Sequence, residues 1–326
     1  MPFQIIRKDI SLMKVDAIVN SANTDVAIGT GVDLAIHKTS GEALFEARKK
    51  IGKINVGESK LTKGFNLKAK HVIHTVGPLW IDGTKGEYED LRSCYLSSLN
   101  LALSNNLISI AFPLISSGTF GYPKDKALKI ATETIKSFLF EHEMMVYLVV
   151  YDDVSYELSK NLTEQVDNYI LDHYIDDSSF MAYEMDNNFV HDMLVDSFDI
   201  RTNKSRSIVD VIDEIDETFV ESLFRLTDQK GMTDIELYKK ANIDRRLFSK
   251  IKSNFDYQPS KITAISFSIA LELNLDETKD LLSRAGYALS PSHKFDLIIQ
   301  FFIENENYDV YEINQVLFKF DQKTLG

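Results

Sequence analysis

Apolar residues follow two different spacings in the first half of the chain. Short apolar runs typical of buried strands are separated by segments in which apolar residues recur three and four positions apart, as they do on one face of a helix. Val32, Ala35 and Ile36 are one example of the helical spacing. The runs that predict strands are Phe3 to Ile6, Ala17 to Asn20, Ala69 to Val76, Ser109 to Ile115 and Met144 to Tyr151. Strands that alternate with helices predict an α/β domain of three layers.

Helical spacing continues through the last third of the chain, from Glu221 to Gly326. Thr233, with Glu236 three residues later, is typical of a helix start in which the two side chains satisfy free backbone N–H groups. No alternating strand pattern interrupts this part. It therefore predicts a second, all-helical domain.

Length and composition divide the chain further. Its 326 residues exceed what a single core usually supports, so we expect 1–162 to be the α/β domain, 163–220 a connector and 221–326 the helical domain. The net charge of -13 is concentrated between Asn161 and Glu221, where sixteen acidic residues face three basic ones. Aromatic residues interrupt the acids, which favours partly helical structure with a solvated acidic face over a cation site, with an exposed linker at 199–209.

The overall composition excludes several classes of protein. A net charge of -13 argues against a general nucleic-acid binder, and the single cysteine, Cys94, excludes an intramolecular disulfide and a cysteine-based zinc cluster. No apolar run approaches the length of a membrane span, and the N-terminus lacks the pattern of a signal peptide. We expect a cytoplasmic protein without a membrane partner, a metal or a cofactor.

The segment from Ala17 to Ser40 carries the clearest candidate chemistry. A buried strand leads into a loop with Gly29 and Gly31 and then into a helix, whose first N–H groups and dipole suit an anion. The side chains of Asn20, Asn23 and Asp33 suit sugar hydroxyls. A second glycine-bearing loop, Ser116 to Tyr122, precedes another predicted helix, so the two loops could hold a diphosphate between them.

These residues resemble the macrodomain family, which binds ADP-ribose. The resemblance rests on five segments in the family's order and covers about the first half of the chain: Lys8–Ile10, Val15–Asn23, Gly29–His37, Val72–Pro78 and Ile115–Pro123. It implies a three-layer fold with a mixed central sheet. It also implies hydrolysis of an ADP-ribose conjugate, either mono-ADP-ribosyl protein or O-acetyl-ADP-ribose. The alternative is a non-catalytic ADP-ribose sensor that passes occupancy to the helical domain.

The resemblance also implies roles for individual residues. Asn23 would hold the distal ribose, Asp33 would place the attacking water, and Phe120 would cover the ribose. Asp9 and Ile10 would bind adenine, with Tyr151 stacked on it. The full set of expected ADP-ribose contacts is Asp9, Ile10, Asn20, Gly29, Thr30, Gly31, Val32, Ser116, Ser117, Gly118, Thr119, Phe120, Gly121 and Tyr151.

Without the resemblance, simpler explanations hold for several of these residues. Asp9 and Asn23 suit turns or caps, and Asp33 offsets the dipole of its helix. His37, four residues after Asp33, fits packing better than catalysis. Thr30 departs from the family's run of consecutive glycines: its side chain either narrows the site or adds a phosphate contact.

The helical domain contains its own candidate site. Ile235 to Ile251 resembles the helix-turn-helix of Cro-type phage repressors, with Tyr238 where such motifs usually have alanine. Asn242 can take the left-handed conformation in the turn. The second helix, Asp244 to Asn254, is the candidate recognition helix. Its possible DNA contacts are Arg245, Arg246, Lys250 and Lys252. Protein interaction or self-association is the alternative, because the domain is nearly neutral and Asp244 leads this helix.

Overall fold

The computed structural model describes residues 3–150, 160–174 and 217–326. We call 3–150 the α/β region and 217–326 the helical region. Six strands of the α/β region form one sheet in the order β1-β6-β5-β2-β4-β3. They are β1 (Phe3–Arg7), β2 (Ala17–Ser21), β3 (Ser59–Lys63), β4 (His71–Thr75), β5 (Ser109–Pro113) and β6 (Met145–Val150).

The sheet is mixed, which confirms the expected fold. All neighbouring strands run parallel except β3, which pairs antiparallel with β4, Leu61 lying opposite Ile73. The apolar pattern did not predict β3, because this edge strand (SKLTK) has no apolar run and buries only Thr62. The central strand β2, in contrast, is buried along almost its whole length.

Helices cover both faces of the sheet. The helices of this region are α1 (Gly31–Ser40), α2 (Glu42–Ile51), α3 (Glu87–Ser104) and α4 (Lys124–Glu141). Successive residues of β2 point to opposite faces: Ile18 packs in one core with Ile36 and Leu44, whereas Val19 packs in the other with Tyr95. The three layers are thus α1 and α2, the sheet, and α3 and α4.

The helical region begins after a gap in the described residues. Helix α5 (Lys160–His173) lies in the predicted connector and packs against the helical region through Tyr169 and Phe301. Residues 175–216, which include the predicted linker at 199–209, lie outside the described residues. The remaining helices are α6 (Phe219–Gln229), α7 (Asp234–Lys240), α8 (Arg245–Lys252), α9 (Lys261–Ala270), α10 (Leu275–Arg284), α11 (Lys294–Glu304) and α12 (Val310–Lys319).

Local signals set several of these helix boundaries. Thr233 and Glu236 form the predicted capping box at the start of α7. Asn242, between α7 and α8, has a φ of 57°, so the left-handed turn is also as predicted. The second helix ends at Lys252, two residues before the predicted end. No helix among the residues with described positions is long and apolar enough to cross a membrane.

The turn between α7 and α8 is bonded to the edge strand β1. The Asn242 Oδ1 accepts a hydrogen bond from the Phe3 backbone N–H (2.7 Å), and its Nδ2 donates to the carbonyl groups of Phe3 (2.9 Å) and Leu325 (3.0 Å). Asn242 is 2% exposed. Its carboxamide therefore acts as one more peptide group on the open edge of the sheet, and the helical region covers that edge.

Other side chains extend this contact between the regions. The Tyr238 hydroxyl donates to Glu143 Oε1 (2.7 Å), just after α4, and Arg7, the last residue of β1, forms an ion pair with Asp321 (3.0 Å). Tyr238, which departs from the helix-turn-helix resemblance, thus has a structural role of its own. The larger side chain reaches the α/β region, which an alanine would not do.

Candidate functional site

A pocket of about 460 Å³ lies at the carboxyl ends of β2, β5 and β6. Because these strands are parallel neighbours, their ends meet at one edge of the sheet, where ligands of such folds bind. Loop 1, residues 28–32, forms one wall and loop 2, residues 116–121, forms the other. The pocket is lined by Ser21, Asn23, Gly29, Thr30, Gly31, Val32, Asp33, Pro113, Leu114, Ser116, Ser117, Gly118, Thr119, Phe120, Lys124, Val149 and Val150.

Both walls contain backbone N–H groups that have no hydrogen-bond acceptor among the described residues. Helix α1 starts in loop 1, and Thr30 at its N-cap makes no side-chain hydrogen bond to the first turn. In loop 2, the N–H groups of Gly118, Thr119 and Phe120 have no backbone acceptor among the described residues. Opposed free N–H groups at a helix start and in a glycine-bearing loop form a site for an anion with more than one negative group.

Ser116 adds a side-chain group to the same wall. It has a φ of 62°, which is rare for a residue with a side chain, and its buried hydroxyl has no hydrogen-bond partner within the described ranges. The close approach of Gly77 explains this position, since a Cβ on Gly77 would stand 2.1 Å from the Ser116 Oγ. The strained residue is thus held by packing, with its hydroxyl buried against Gly77.

The carboxylate of Asp33 is held firmly at one end of the pocket. Its Oδ2 accepts the Gly29 N–H (2.5 Å), and its Oδ1 accepts the Asn20 Nδ2 (2.5 Å). Asp33 is 4% exposed yet still lines the pocket. Asn23 lies beside it: a Cβ on Gly29 would be 3.1 Å from the Asn23 Nδ2 and 3.3 Å from the Asp33 Oδ2. A side chain at position 29 would therefore require Asn23 and Asp33 to give way by a few tenths of an ångström.

A buried network of hydrogen bonds beneath the pocket holds the Asp33 carboxylate in place. The Asn20 Nδ2 also lies 3.2 Å from the His74 Nδ1, and the His74 Nε2 lies 2.9 Å from the Thr62 hydroxyl. Burial lowers the pKa of His74 to about 3. The neutral ring can then accept from Asn20 at Nδ1 and donate to Thr62 at Nε2. Asn20 is fully buried, so the structure places this predicted ligand contact beneath the pocket and not in its lining.

His37 occupies the space behind Asp33. Its Nε2 is 3.6 Å from the Asp33 Oδ1, too far for a strong hydrogen bond, and the ring is 6% exposed. Burial lowers the pKa of His37, and the charge of Asp33 opposes this only in part. This agrees with the prediction of a packing role.

We expect acid to destabilise the protein through His74. Its pKa is about 3 in the folded protein against an ordinary 6.5, so the unfolded state binds the extra proton between these values and stability rises with pH through this window. The free energy of unfolding should fall by about 2 kcal/mol between pH 7.5 and 5 through this residue alone.

The measurement is chemical denaturation at several pH values for the wild type and His74→Gln. The variant should lose most of this slope, whatever its stability at pH 7.5. His293→Gln, at an exposed position, is the matched control. Equal slopes in the wild type and His74→Gln would contradict the assignment.

Two of the site residues that sequence reasoning missed carry a positive charge. Arg48, in the last turn of α2, is buried and donates to the carbonyl groups of Asn23 (3.1 Å) and Gly52, so it holds the segment between β2 and loop 1. Its signal was weak, because arginine near a helix end is common. Lys124, at the start of α4, brings a cation to the pocket lining. A lysine there opposes the helix dipole, which could have marked it as functional.

Some predicted contacts lie near the pocket without lining it. Asp9 caps a short 3-10 turn (Ile10–Leu12) and its Oδ1 accepts the Ser11 N–H (2.8 Å), which agrees with the simpler turn explanation. This turn follows β1, whose Arg7 pairs with Val150 at the pocket edge. Adenine binding by Asp9 and Ile10 stays a prediction. Gly121 also lies outside the lining, and Tyr151 lies outside the described residues.

The possible DNA contacts do not line this pocket. All four are exposed on α8, but Lys252 is paired with Asp234 and the Lys250 Nζ lies over the ring of Tyr257 (5.4 Å). Arg245 and Arg246, at the start of α8, form no ion pair among the described residues. DNA contact by any of these four residues stays a prediction.

The known proteins that resemble this chain match its α/β region. A family model described as Macro domain covers residues 19–131. A Macro domain-containing protein of Methanosarcina mazei is 46% identical over 50% of this chain and 88% of its own length. An O-acetyl-ADP-ribose deacetylase of Citrobacter koseri is 44% identical over 48% of this chain and 92% of its own. The ADP-ribose glycohydrolase MACROD1 of Rattus norvegicus is 44% identical over 43% of this chain and 54% of its own length.

Proposed function

The chain belongs to the macro domain family, and on this premise we propose that it hydrolyses ADP-ribose conjugates, either mono-ADP-ribosyl protein or O-acetyl-ADP-ribose. Relatives at 44% identity carry the names of a deacetylase and of a glycohydrolase that act on such compounds. One observation of the structure supports the proposal most. The Asn23 and Asp33 side chains lie at one end of the pocket. They adjoin loops 1 and 2, whose N–H groups have no acceptor among the described residues.

This arrangement suits the parts of the proposed ligand. The N–H groups of loops 1 and 2 would hold the diphosphate, and Lys124 adds positive charge to the same cavity. Asn23 would hold the distal ribose. Asp9 and Ile10 would meet adenine at the β1 end of the pocket, and Tyr151 and Phe120 are the proposed stacking residues.

Asp33 can still bind water although both its oxygens accept protein hydrogen bonds. Each carboxylate oxygen has room for a second donor, and Gly29 and Asn20 occupy one position each. A water held there would lie beside the ribose that Asn23 binds. Rate enhancement then comes from fixing water and ribose together and from the N–H groups that stabilise charge on the ligand.

The test is release of ADP-ribose by the full chain. Purified protein is incubated with O-acetyl-ADP-ribose and, separately, with a protein mono-ADP-ribosylated on acidic residues, while calorimetry measures ADP-ribose binding. We expect binding together with release from at least one substrate. Binding without release from either would overturn hydrolysis.

Gly29→Ala should weaken turnover without unfolding the protein. The added Cβ would press on the Asn23 and Asp33 side chains at 3.1 and 3.3 Å, so both must shift. Since small misplacements of reacting groups are costly, we expect kcat/KM to fall about tenfold or more. Gly118→Ala is the comparison, because its Cβ meets no atom within 4 Å and its loss should be smaller. Equal losses would contradict a steric cause at Gly29.

A non-catalytic sensor is the second candidate, and the contact between the regions favours it. β1 leads directly to Asp9 and is bonded along its length to the helical region, at Phe3 by Asn242 and at Arg7 by Asp321. A ligand bound near Asp9 would therefore lie next to β1, the strand that is bonded to the helical region. This candidate becomes the better one if ADP-ribose binds but no conjugate is hydrolysed.

DNA binding by the helical region remains a separate proposal. It is supported by the left-handed turn at Asn242 and by the exposed Arg245 and Arg246 at the start of α8. If these arginines contact phosphates, the double variant to alanine should weaken binding of a duplex DNA probe and reduce its salt dependence by about two ions. No binding of the probe at low salt by the wild type would favour protein interaction or self-association instead.

A further inference from the structure

Two hydroxyl groups join the walls of the pocket. The Thr30 Oγ1 of loop 1 lies 2.8 Å from the Thr119 Oγ1 of loop 2, although the residues are 89 positions apart in the chain. Both side chains line the pocket. This hydrogen bond, which we call the threonine bridge, connects loop 1 to loop 2.

Thr30 makes this contact in place of its ordinary one. A threonine at a helix N-cap usually accepts a hydrogen bond from the second or third N–H of its helix, yet Thr30 has an extended backbone and makes no such bond. Its hydroxyl turns to the opposite wall instead. The N–H groups at the start of α1 consequently stay available to a ligand while the bridge is formed.

The threonine bridge lies at the reacting end of the pocket. Thr30 directly follows Gly29, whose N–H binds Asp33 and at which an added Cβ would stand 3.1 Å from the Asn23 Nδ2. The group that leaves the distal ribose must therefore pass close to the bridge. A small acyl group needs little room there, whereas a protein carrying ADP-ribose extends beyond the two loops.

We propose that Thr30 and Thr119 determine leaving-group specificity, and that their bridge makes the enzyme favour O-acetyl-ADP-ribose over ADP-ribose carried on a protein. This inference rests on the proposed hydrolase function. In both reactions water is the second reactant: the ester bond between the distal ribose and the acyl group breaks, and the products are ADP-ribose and a carboxylic acid. The bridge affects only how easily the molecule that carries the acyl group fits into the pocket.

The test compares kcat/KM for the two substrates and uses their ratio. Thr30→Val and Thr119→Val keep the side-chain shape and remove the hydroxyl groups, whereas Thr30→Ser keeps the hydroxyl. We expect the wild type to favour O-acetyl-ADP-ribose and each valine variant to reduce that ratio about fivefold, which is about 1 kcal/mol and the value of one exposed hydrogen bond. Thr30→Ser should keep the wild-type ratio.

The double valine variant shows whether the two hydroxyl groups act through their shared hydrogen bond or through two independent contacts. If the hydroxyl groups act through each other, the double variant should change the ratio no more than either single one. Additive effects, an unchanged ratio in the valine variants, or a wild type that favours the protein substrate would each overturn the proposal. Release from neither substrate by the wild type is a different result, since it overturns the hydrolase function itself and the specificity with it.

Discussion

Asp33→Asn should reduce the release of ADP-ribose from its conjugates about 1,000-fold, a loss of about 4 kcal/mol in transition-state stabilisation. The wild-type carboxylate accepts one hydrogen bond from the Gly29 N–H and one from the Asn20 Nδ2. An asparagine has one acceptor oxygen, so its NH₂ group would face one of these donors. The side chain must turn away or the loop must move, and the water position is lost in either case. Steady-state release of ADP-ribose measures the effect.

Asp16→Asn is the matched control for this experiment. Asp16 is also a buried aspartate beside β2, and its Oδ2 accepts hydrogen bonds from the Ile108 N–H (3.0 Å) and the Ser109 hydroxyl (3.1 Å). It lies at the amino end of β2, away from the pocket. Its substitution should lower the melting temperature but leave kcat within a few-fold of wild type. If Asp33→Asn keeps more than a third of the wild-type kcat/KM, Asp33 has no catalytic role.

Asn242→Gly should destabilise the protein by about 3 kcal/mol or more, because a buried polar group left without its partner costs about 1–3 kcal/mol. The variant removes the partner of three buried groups: the N–H and carbonyl of Phe3 and the carbonyl of Leu325. Glycine accepts the φ of 57° without strain, so the backbone itself is not penalised. Calorimetry and chemical denaturation, followed by fluorescence and by circular dichroism, measure the loss and show whether the two regions still unfold together.

Asn106→Gly provides the control for backbone effects. Asn106 has nearly the same φ, 54°, but lies exposed in the turn after α3. Its replacement by glycine should change the free energy of unfolding by less than about 0.5 kcal/mol. If the two glycine variants lose the same stability, the hydrogen bonds of Asn242 to β1 contribute nothing to holding the regions together.

Features of the fold that depend on neighbouring residues could be predicted from the sequence, whereas those that depend on distant residues could not. Apolar spacing located five of the six strands, because buried parallel strands and amphipathic helices carry a periodic pattern. The edge strand β3 was missed, since a strand with one open side needs no apolar run. The two glycine-bearing loops were found for a similar reason: each is a local strand-loop-helix unit.

The roles of some polar residues could not be read from the same patterns. Asn20 looks like a ligand contact in the sequence, but it is fully buried and holds Asp33 and His74. Arg48 gave only a weak signal, since arginine near a helix end is common. Whether a polar side chain lines a cavity or supports its floor depends on which neighbours fold over it, and residues distant in sequence supply those neighbours.

The sequence by itself determined the order of strands and helices, the position of both loops and the family to which the α/β region belongs, because these depend on spacing within a few tens of residues. Only the tertiary structure decided that Thr30 meets Thr119 and that Asn242 closes the edge of β1. These partners are 89 and 239 residues apart. No local preference encodes such a contact, since it forms only when packing of the whole core brings the two segments together.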